Sequence, residues 1–333
     1  MKLERVFVLG AGAWGTALAQ AASMAGREVT LFARDRNIAN EINRLHTNRA
    51  YLGEQQLSPR IVAQAHLGGL GAADVVLMAV PAQTTRTVLG TLDANALAGK
   101  PVVLTAKGLE AGTLKRQSEI LDELAPEAVP LALSGPSFAA DVAAGRPTAV
   151  TLAGPNAEIA EQVAPALAGP SFRPYAANDI AGVELAGGLK NVYALACGAV
   201  EGAGLGLSAR SALLARAFAE LTRLVSAMGG NSSTLTGLAG LGDLCLTCTT
   251  PQSRNYWFGL QLGAGRSVAD IRASGAKLAE GVSTAPVARA VAREYGVEAP
   301  LVEAVNLLLE GEVEIGRIVA GLMARPLKRE TEN

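Results

Sequence analysis

A short apolar run, Val6-Phe7-Val8-Leu9, passes directly into Gly10-Ala11-Gly12-Ala13-Trp14-Gly15 and then into a periodic segment beginning near Thr16. Glycines at that spacing, between a predicted strand and a predicted helix, mark the opening of a dinucleotide-binding βαβ unit. Gly10 allows the tight turn, Gly12 lets a pyrophosphate approach the backbone, and Gly15 lets the helix settle closely on the strand. The diphosphate then faces unpaired amides at a helix N-terminus. The plain alternative is a glycine-rich turn with no ligand. The next predicted strand ends Leu31-Phe32-Ala33-Arg34-Asp35-Arg36. A site restricted to NAD commonly sets a carboxylate there, on the ribose 2′-hydroxyl. Arg34 comes first and suits a 2′-phosphate, with Asp35 displaced by one. NADP is therefore expected and NAD remains acceptable; an arginine that merely lies on the surface is the competing reading.

The first half of the chain repeats this alternation. Strands are predicted at residues 5–9, 28–33, 75–80, 102–106, 131–134 and 149–152, with helices at 16–24, 83–92, 114–124 and 157–167. Such alternation belongs to a parallel sheet wrapped by helices. From about Asp179 the texture changes to long Ala- and Leu-rich periodic segments separated by glycine clusters: residues 179–200, 208–228, 268–273, 284–295 and 301–310. The fold class is thus an α/β N-terminal Rossmann-type nucleotide-binding domain, residues 1–178, followed by an all-α domain, residues 179–333. A chain of 333 residues fits two domains better than one.

Charge excludes several functions. Lys plus Arg number 29 and Asp plus Glu 30, so no overall basic field exists to attract nucleic acid or an anionic membrane, and any anion site must be local. Hydrophobic residues at 50% provide for a large core. A long uncharged run, residues 224–242, is broken by Gly229-Gly230-Asn231-Ser232-Ser233, which no lipid-exposed helix carries. Glycines 10, 12 and 15 likewise argue against reading the N-terminal apolar stretch as an export signal. A cytoplasmic, non-membrane protein is expected. Cys197, Cys245 and Cys248 are too few for a disulfide framework, and the single Cys-x-x-Cys lacks further ligands at a zinc-like spacing, so no metal is expected.

The remaining polar candidates lie at predicted strand ends and in glycine-rich stretches. Lys107, in Ala106-Lys107-Gly108-Leu109-Glu110, is placed for an anionic or carbonyl substrate, or else is a solvated surface lysine. Ser137, in Leu133-Ser134-Gly135-Pro136-Ser137-Phe138-Ala139, offers a hydroxyl on a constrained turn, although a plain turn reads the same way. Lys190, in Gly188-Leu189-Lys190-Asn191-Val192, sits in a small and apolar stretch otherwise interrupted only by Glu184. A partly desolvated lysine can transfer protons near neutral pH; a lysine extending its head to water is the alternative. Asp243 follows a glycine-rich loop and either orients such a lysine or caps a helix. Ser253-Arg254-Asn255 places hydroxyl, guanidinium and amide together on a predicted turn, a reasonable phosphate or carboxylate clamp.

Taken in order, these segments resemble the bacterial NAD(P)-dependent glycerol-3-phosphate dehydrogenases. Glu280-Gly281 and Leu322-Met323-Ala324-Arg325 fit the same family, and the resemblance spans nearly the whole chain. It implies a helical domain like the C-terminal domain of 6-phosphogluconate dehydrogenase. It also implies reversible reduction of dihydroxyacetone phosphate to sn-glycerol 3-phosphate, which feeds phospholipid synthesis. By the same resemblance, Ala13, Trp14, Arg34, Lys107, Ala139, Arg254, Leu278 and Glu280 join Gly10, Gly12 and Gly15 in binding the cofactor, NADP or NAD. Lys107, Gly135, Ser137, Lys190, Asp243, Ser253, Arg254 and Asn255 contact substrate. Lys190 corresponds to the proton acceptor and Asp243 to its partner carboxylate, with Lys107 the third catalytic group. Thr247 matches a substrate-contacting threonine of related eukaryotic enzymes. Ala13 departs from the serine often found there, which removes a hydroxyl contact but not the amide. The expected partners are the small-molecule substrate and, as an option, a second copy of the chain. Two alternatives stand: a related dehydrogenase of β-hydroxy acids, which would want a carboxylate clamp in place of 253–255, and a non-catalytic nucleotide sensor.

Overall fold

In strand β1 (Arg5–Leu9), Val6 and Val8 enter one core while Phe7 and Leu9 enter another. That two-residue alternation is what a strand covered on both faces requires. The computed structural model describes residues 3–275 and 279–326. Its sheet contains β1, β2 (Glu28–Phe32), β3 (Ile61–Gln64), β4 (Val75–Met78), β5 (Pro101–Leu104), β6 (Val129–Ser134), β7 (Thr148–Ala153) and β8 (Phe172–Ala177), in the order β3-β2-β1-β4-β5-β6-β7-β8. Neighbours run parallel except β6 and β7, which are antiparallel. The order reverses between β1 and β4. Ligands of such sheets collect beyond the carboxyl ends at that reversal.

Helices close both faces. Leu18, Ala19 and Ala22 of the helix Ala13–Met24 pack with Val6, Val8, Leu31 and Val150 on one side. Ile120 and Leu121 of the helix Gln117–Leu124 pack with Phe7, Leu9, Met78 and Leu104 on the other. The six predicted strands are present, with ends displaced by one or two residues. Two strands escaped the sequence reading. Four-residue β3 has Val62 exposed, and β8 carries Pro174 between exposed Arg173 and Tyr175. Each lies at a sheet edge, where one side is solvated and proline is tolerated, so neither presents a continuous apolar run. The helix predicted at 114–124 begins only at Gln117, because Leu114 adopts a left-handed φ of 58°. That predicted at 83–92 reduces to a 3₁₀ turn, Ala82–Thr84, and the helix Thr85–Leu89.

The chain divides into two compact units, Met1–Gly188 with Val225–Asp243, and Leu189–Leu224 with Leu244–Asn333. The division falls inside the 23-residue helix Ile180–Gly202. In the first unit, the Asp179 carboxylate accepts hydrogen bonds from the amides of Gly182 and Asn231 and from Thr234 Oγ1, which ties the segment around 231–234 to the start of that helix. In the second unit, added methyl groups at Gly198 or Gly202 would collide with the backbone of the helix Arg254–Gly263, so glycine permits a very close helix crossing. Buried Glu220 accepts from the amides of Leu301 and Val302, each at 3.0 Å, capping the helix Pro300–Glu310. Burial pushes its carboxyl above the ordinary range, against those hydrogen bonds. Among the described residues no helix is long and apolar enough to cross a membrane.

Candidate functional site

The glycine loop follows β1 as the sequence predicts. Gly10 has φ 108°, and a Cβ there would stand 2.6 Å from the Ala79 carbonyl oxygen; at Gly15 it would strike the Gly10 carbonyl. Gly12 caps the helix Ala13–Met24 without a side chain, no acidic residue lies in the first turn, and nothing occupies the space above its Cα within 4 Å. Free amides, an uncompensated helix dipole and open space together form a cradle that fits a diphosphate. Trp14 is half-buried against the core with its indole N–H unpartnered. Ala13 lies beside it as the first helical residue.

One residue that holds this loop was invisible in the sequence. Asn48 is fully buried, and its Nδ2 donates to the Ala11 carbonyl and to Thr16 Oγ1, each at 2.9 Å. No local pattern marks it, because its partners lie more than thirty positions away. Beyond β2, Arg34 is exposed and makes no ion pair among the described residues. Asp35 instead caps the helix Arg36–Leu45, accepting from the Asn37 amide at 2.8 Å. The carboxylate that follows β2 is thus already engaged, while the neighbouring Arg34 is an exposed positive charge.

The end of β5 supplies Lys107. Its Nζ donates to Asp243 Oδ2 at 2.9 Å, and Ser134 Oγ lies 3.4 Å from the same oxygen. Asp243 is only 1% exposed and opens the helix Asp243–Cys248. Ser137 Oγ donates to the Gly135 carbonyl at 3.0 Å. Gly135 has φ 152°, and a Cβ there would meet Val150 Cα at 2.8 Å. Ala139 begins the short helix Ala139–Ala143. Glu184, on the helix Ile180–Gly202, is buried in the same unit; burial pushes its carboxyl up to about 7, against the opposing hydrogen bonds from Ser118 and the charge of Arg116.

The second unit carries Lys190, 3% exposed, whose Nζ donates to Thr247 Oγ1 at 2.6 Å. A buried ammonium in hydrogen-bond contact with a hydroxyl is suited to proton exchange with a bound oxygen. Asn191 accepts at Oδ1 from Asn255 Nδ2 (2.9 Å), while its own Nδ2 is buried without a partner. Asn255 Oδ1 in turn accepts from the Gly281 amide at 2.8 Å. Asn255 is therefore largely engaged in bracing the backbone.

The predicted turn at 253–255 is in fact a helix start. Ser253 is the N-cap, its hydroxyl accepting from the Tyr256 amide at 3.3 Å, and Arg254 and Asn255 are the first residues of Arg254–Gly263. Arg254 is exposed and unpaired among the described residues, an available anion-binding fork at a helix N-terminus. Glu280 opens the helix Glu280–Glu294, and Leu278 lies outside the described residues. Burial pushes the thiols of Cys245 and Cys248 up, with Cys197 adding to the effect on Cys248. Both stay protonated and weakly nucleophilic. Among the described residues no cluster of His, Cys, Asp or Glu could hold a metal ion.

The sequence profile described as NAD-dependent glycerol-3-phosphate dehydrogenase N-terminus matches residues 5–160, and its C-terminus counterpart matches residues 179–320. The chain is 49% identical to a glycerol-3-phosphate dehydrogenase (NAD(P)+) of Caulobacter vibrioides, over 99% of this chain and 100% of that one. It is 47% identical to the protein of the same description from Maricaulis maris, over 98% of each. It is also similar to the crystal structure of glycerol-3-phosphate dehydrogenase from Coxiella burnetii, with TM-score 0.90 and 35% identity over 97% of this chain and 99% of that one.

Proposed function

Since the chain belongs to the NAD-dependent glycerol-3-phosphate dehydrogenase family, we propose that it catalyses reversible NAD(P)H-dependent reduction of dihydroxyacetone phosphate to sn-glycerol 3-phosphate, for phospholipid synthesis. The observation that carries the catalytic assignment is buried Lys190 with its ammonium on the Thr247 hydroxyl. Bound NAD(P)H supplies a hydride to the substrate C2 carbonyl. Lys190 gives a proton to the C2 oxygen as it becomes a hydroxyl, and removes that proton in the reverse direction. Thr247 orients the ammonium by accepting one of its hydrogens. Lys107, braced by Asp243, adds fixed positive charge for an anionic substrate. Arg254 takes the phosphate, with Ser253 and Asn255 setting the helix start from which it projects. Gly135 and Ser137 line the substrate, and Ala139 and Glu280 the cofactor.

The glycine loop, with Ala13 and Trp14, receives the cofactor diphosphate. Arg34 reads a 2′-phosphate, so both NADP and NAD serve. In this reading residues 1–178 bind nucleotide and residues 179–333 carry the proton-transfer group. The reading includes a cytoplasmic location, where reduced nicotinamide and phosphorylated trioses occur together. It leaves a second copy of the chain as the candidate macromolecular partner, checked by light scattering. The decisive assay follows oxidation of NADPH and of NADH with dihydroxyacetone phosphate and with unphosphorylated dihydroxyacetone. Turnover of only the phosphorylated ketone is expected; no turnover with either cofactor would overturn the assignment.

A further inference from the structure

We propose that Glu184 is a positioning residue for Lys107, acting through the Ser118–Gln117–Gly108 connection; this rests on the functional reading above. The Glu184 carboxylate accepts from the Ser118 amide at 2.9 Å and from Ser118 Oγ at 2.5 Å. Those bonds hold the N-terminal end of the helix Gln117–Leu124 against the helix Ile180–Gly202. The neighbouring Gln117, itself buried, donates from Nε2 to the Gly108 carbonyl at 2.7 Å. Gly108 directly follows Lys107.

A second contact fixes the same residue. Gly188 is one helical turn beyond Glu184, and a Cβ on it would lie 3.0 Å from both N and Cα of Gly108. Glu184, Gly187 and Gly188 thus share a helix face, and that face is the wall against which the Gly108 backbone and the stem of the Lys107 side chain rest. Glu184, Lys107, Ser134 and Gly187 also line one narrow void with no room for water. Loss of the Glu184 carboxylate removes the acceptor of the Ser118 amide and hydroxyl, and the connection to Gly108 loosens. Asp243 fixes the far end of the Lys107 side chain; Glu184 fixes its root. The charged groups around Glu184 are Arg116 and Glu119 beside Ser118, and Lys107 across the void.

The test compares Glu184→Ala, Glu184→Gln and Gln117→Ala in steady-state kinetics on the full chain. Glutamine can accept from the Ser118 amide and donate to its hydroxyl, so it preserves the clasp without the charge. Displacing a group by about 1 Å can cost up to about 100-fold. Glu184→Ala is therefore expected to raise KM for dihydroxyacetone phosphate by about 10- to 100-fold, with kcat and KM for NADPH changing by less than about threefold. Glu184→Gln should restore near-normal constants, and Gln117→Ala should reproduce the KM effect. Gln117→Ala decides the matter should Glu184→Ala fail to fold. The inference falls if Glu184→Gln is as impaired as Glu184→Ala, or if Gln117→Ala leaves KM for dihydroxyacetone phosphate unchanged. A wild-type enzyme inactive on dihydroxyacetone phosphate would instead overturn the functional reading itself.

Discussion

On the proposed reading, replacing Arg254 by alanine separates phosphate recognition from the rest of the chemistry. Arg254 is exposed, has no ion-pair partner among the described residues, and occupies the first position of a helix whose cap is Ser253. Among the described residues its removal breaks no side-chain hydrogen bond or ion pair. A cation at a helix N-terminus opposes the helix dipole, so alanine costs no stability there and relieves a small repulsion. The whole effect is therefore expected in substrate binding. A charge-assisted hydrogen bond contributes about 1.5–3 kcal/mol, which predicts a fall in kcat/KM for dihydroxyacetone phosphate of about 10- to 160-fold. Solvent exposure of the unliganded side chain favours the lower half of that range. The assay is NADPH oxidation with dihydroxyacetone phosphate and with unphosphorylated dihydroxyacetone, alongside a thermal melt. The phosphorylated substrate should lose most of its advantage, the unphosphorylated one should change little, and Tm should hold. Equal losses for both ketones would show that Arg254 acts through the cofactor or the fold, and the phosphate site would have to lie elsewhere.

Lys190→Met, similar in length but without the ammonium, should reduce kcat by about 10²–10⁴-fold while NADPH binding, followed by fluorescence titration, stays near normal. Activity within a few-fold of wild type would transfer the proton role to another group, Lys107 first. Arg34→Asp should shift the NADP to NAD ratio in kcat/KM toward NAD by about tenfold or more, and an unchanged ratio would remove Arg34 from ribose recognition. Glu184 also makes stability depend on pH. Folding raises its carboxyl from an ordinary 4.5 to about 7, so its contribution is present in full below the unfolded value and is lost as pH climbs to about 7. Denaturant titrations should find Glu184→Gln gaining on wild type across that window by roughly 2–4 kcal/mol and then levelling; a constant difference from pH 4 to 8 would contradict the buried, titrating carboxylate.

The nucleotide-binding half was legible because its signals are local. Gly10, Gly12 and Gly15 fall within six residues between a strand and a helix, and apolar strands such as β4 and β5 are fully buried, so the local sequence alone marks them. Lys107, Lys190 and Asp243 stood out in the sequence as polar residues among small or apolar neighbours, and Arg254 as a guanidinium between a hydroxyl and an amide. Edge strands β3 and β8 did not, since a strand solvated on one side carries half the apolar signal.

What only the tertiary structure decided is which distant groups meet. Lys107 finds Asp243 across 136 positions, Asn48 braces the glycine loop from 32 to 37 positions away, and Glu184 reaches Ser118 across 66. Sequence periodicity reports the face on which a residue lies, not the partner that face acquires. It also could not tell that 253–255 is a capped helix start rather than a turn, because a serine followed by arginine and asparagine satisfies both. Chemistry-bearing residues were therefore written in the sequence as types at positions; their hydrogen-bond partners, and hence the state in which each is held, were fixed by long-range packing in a water-poor interior, where every buried donor must find an acceptor.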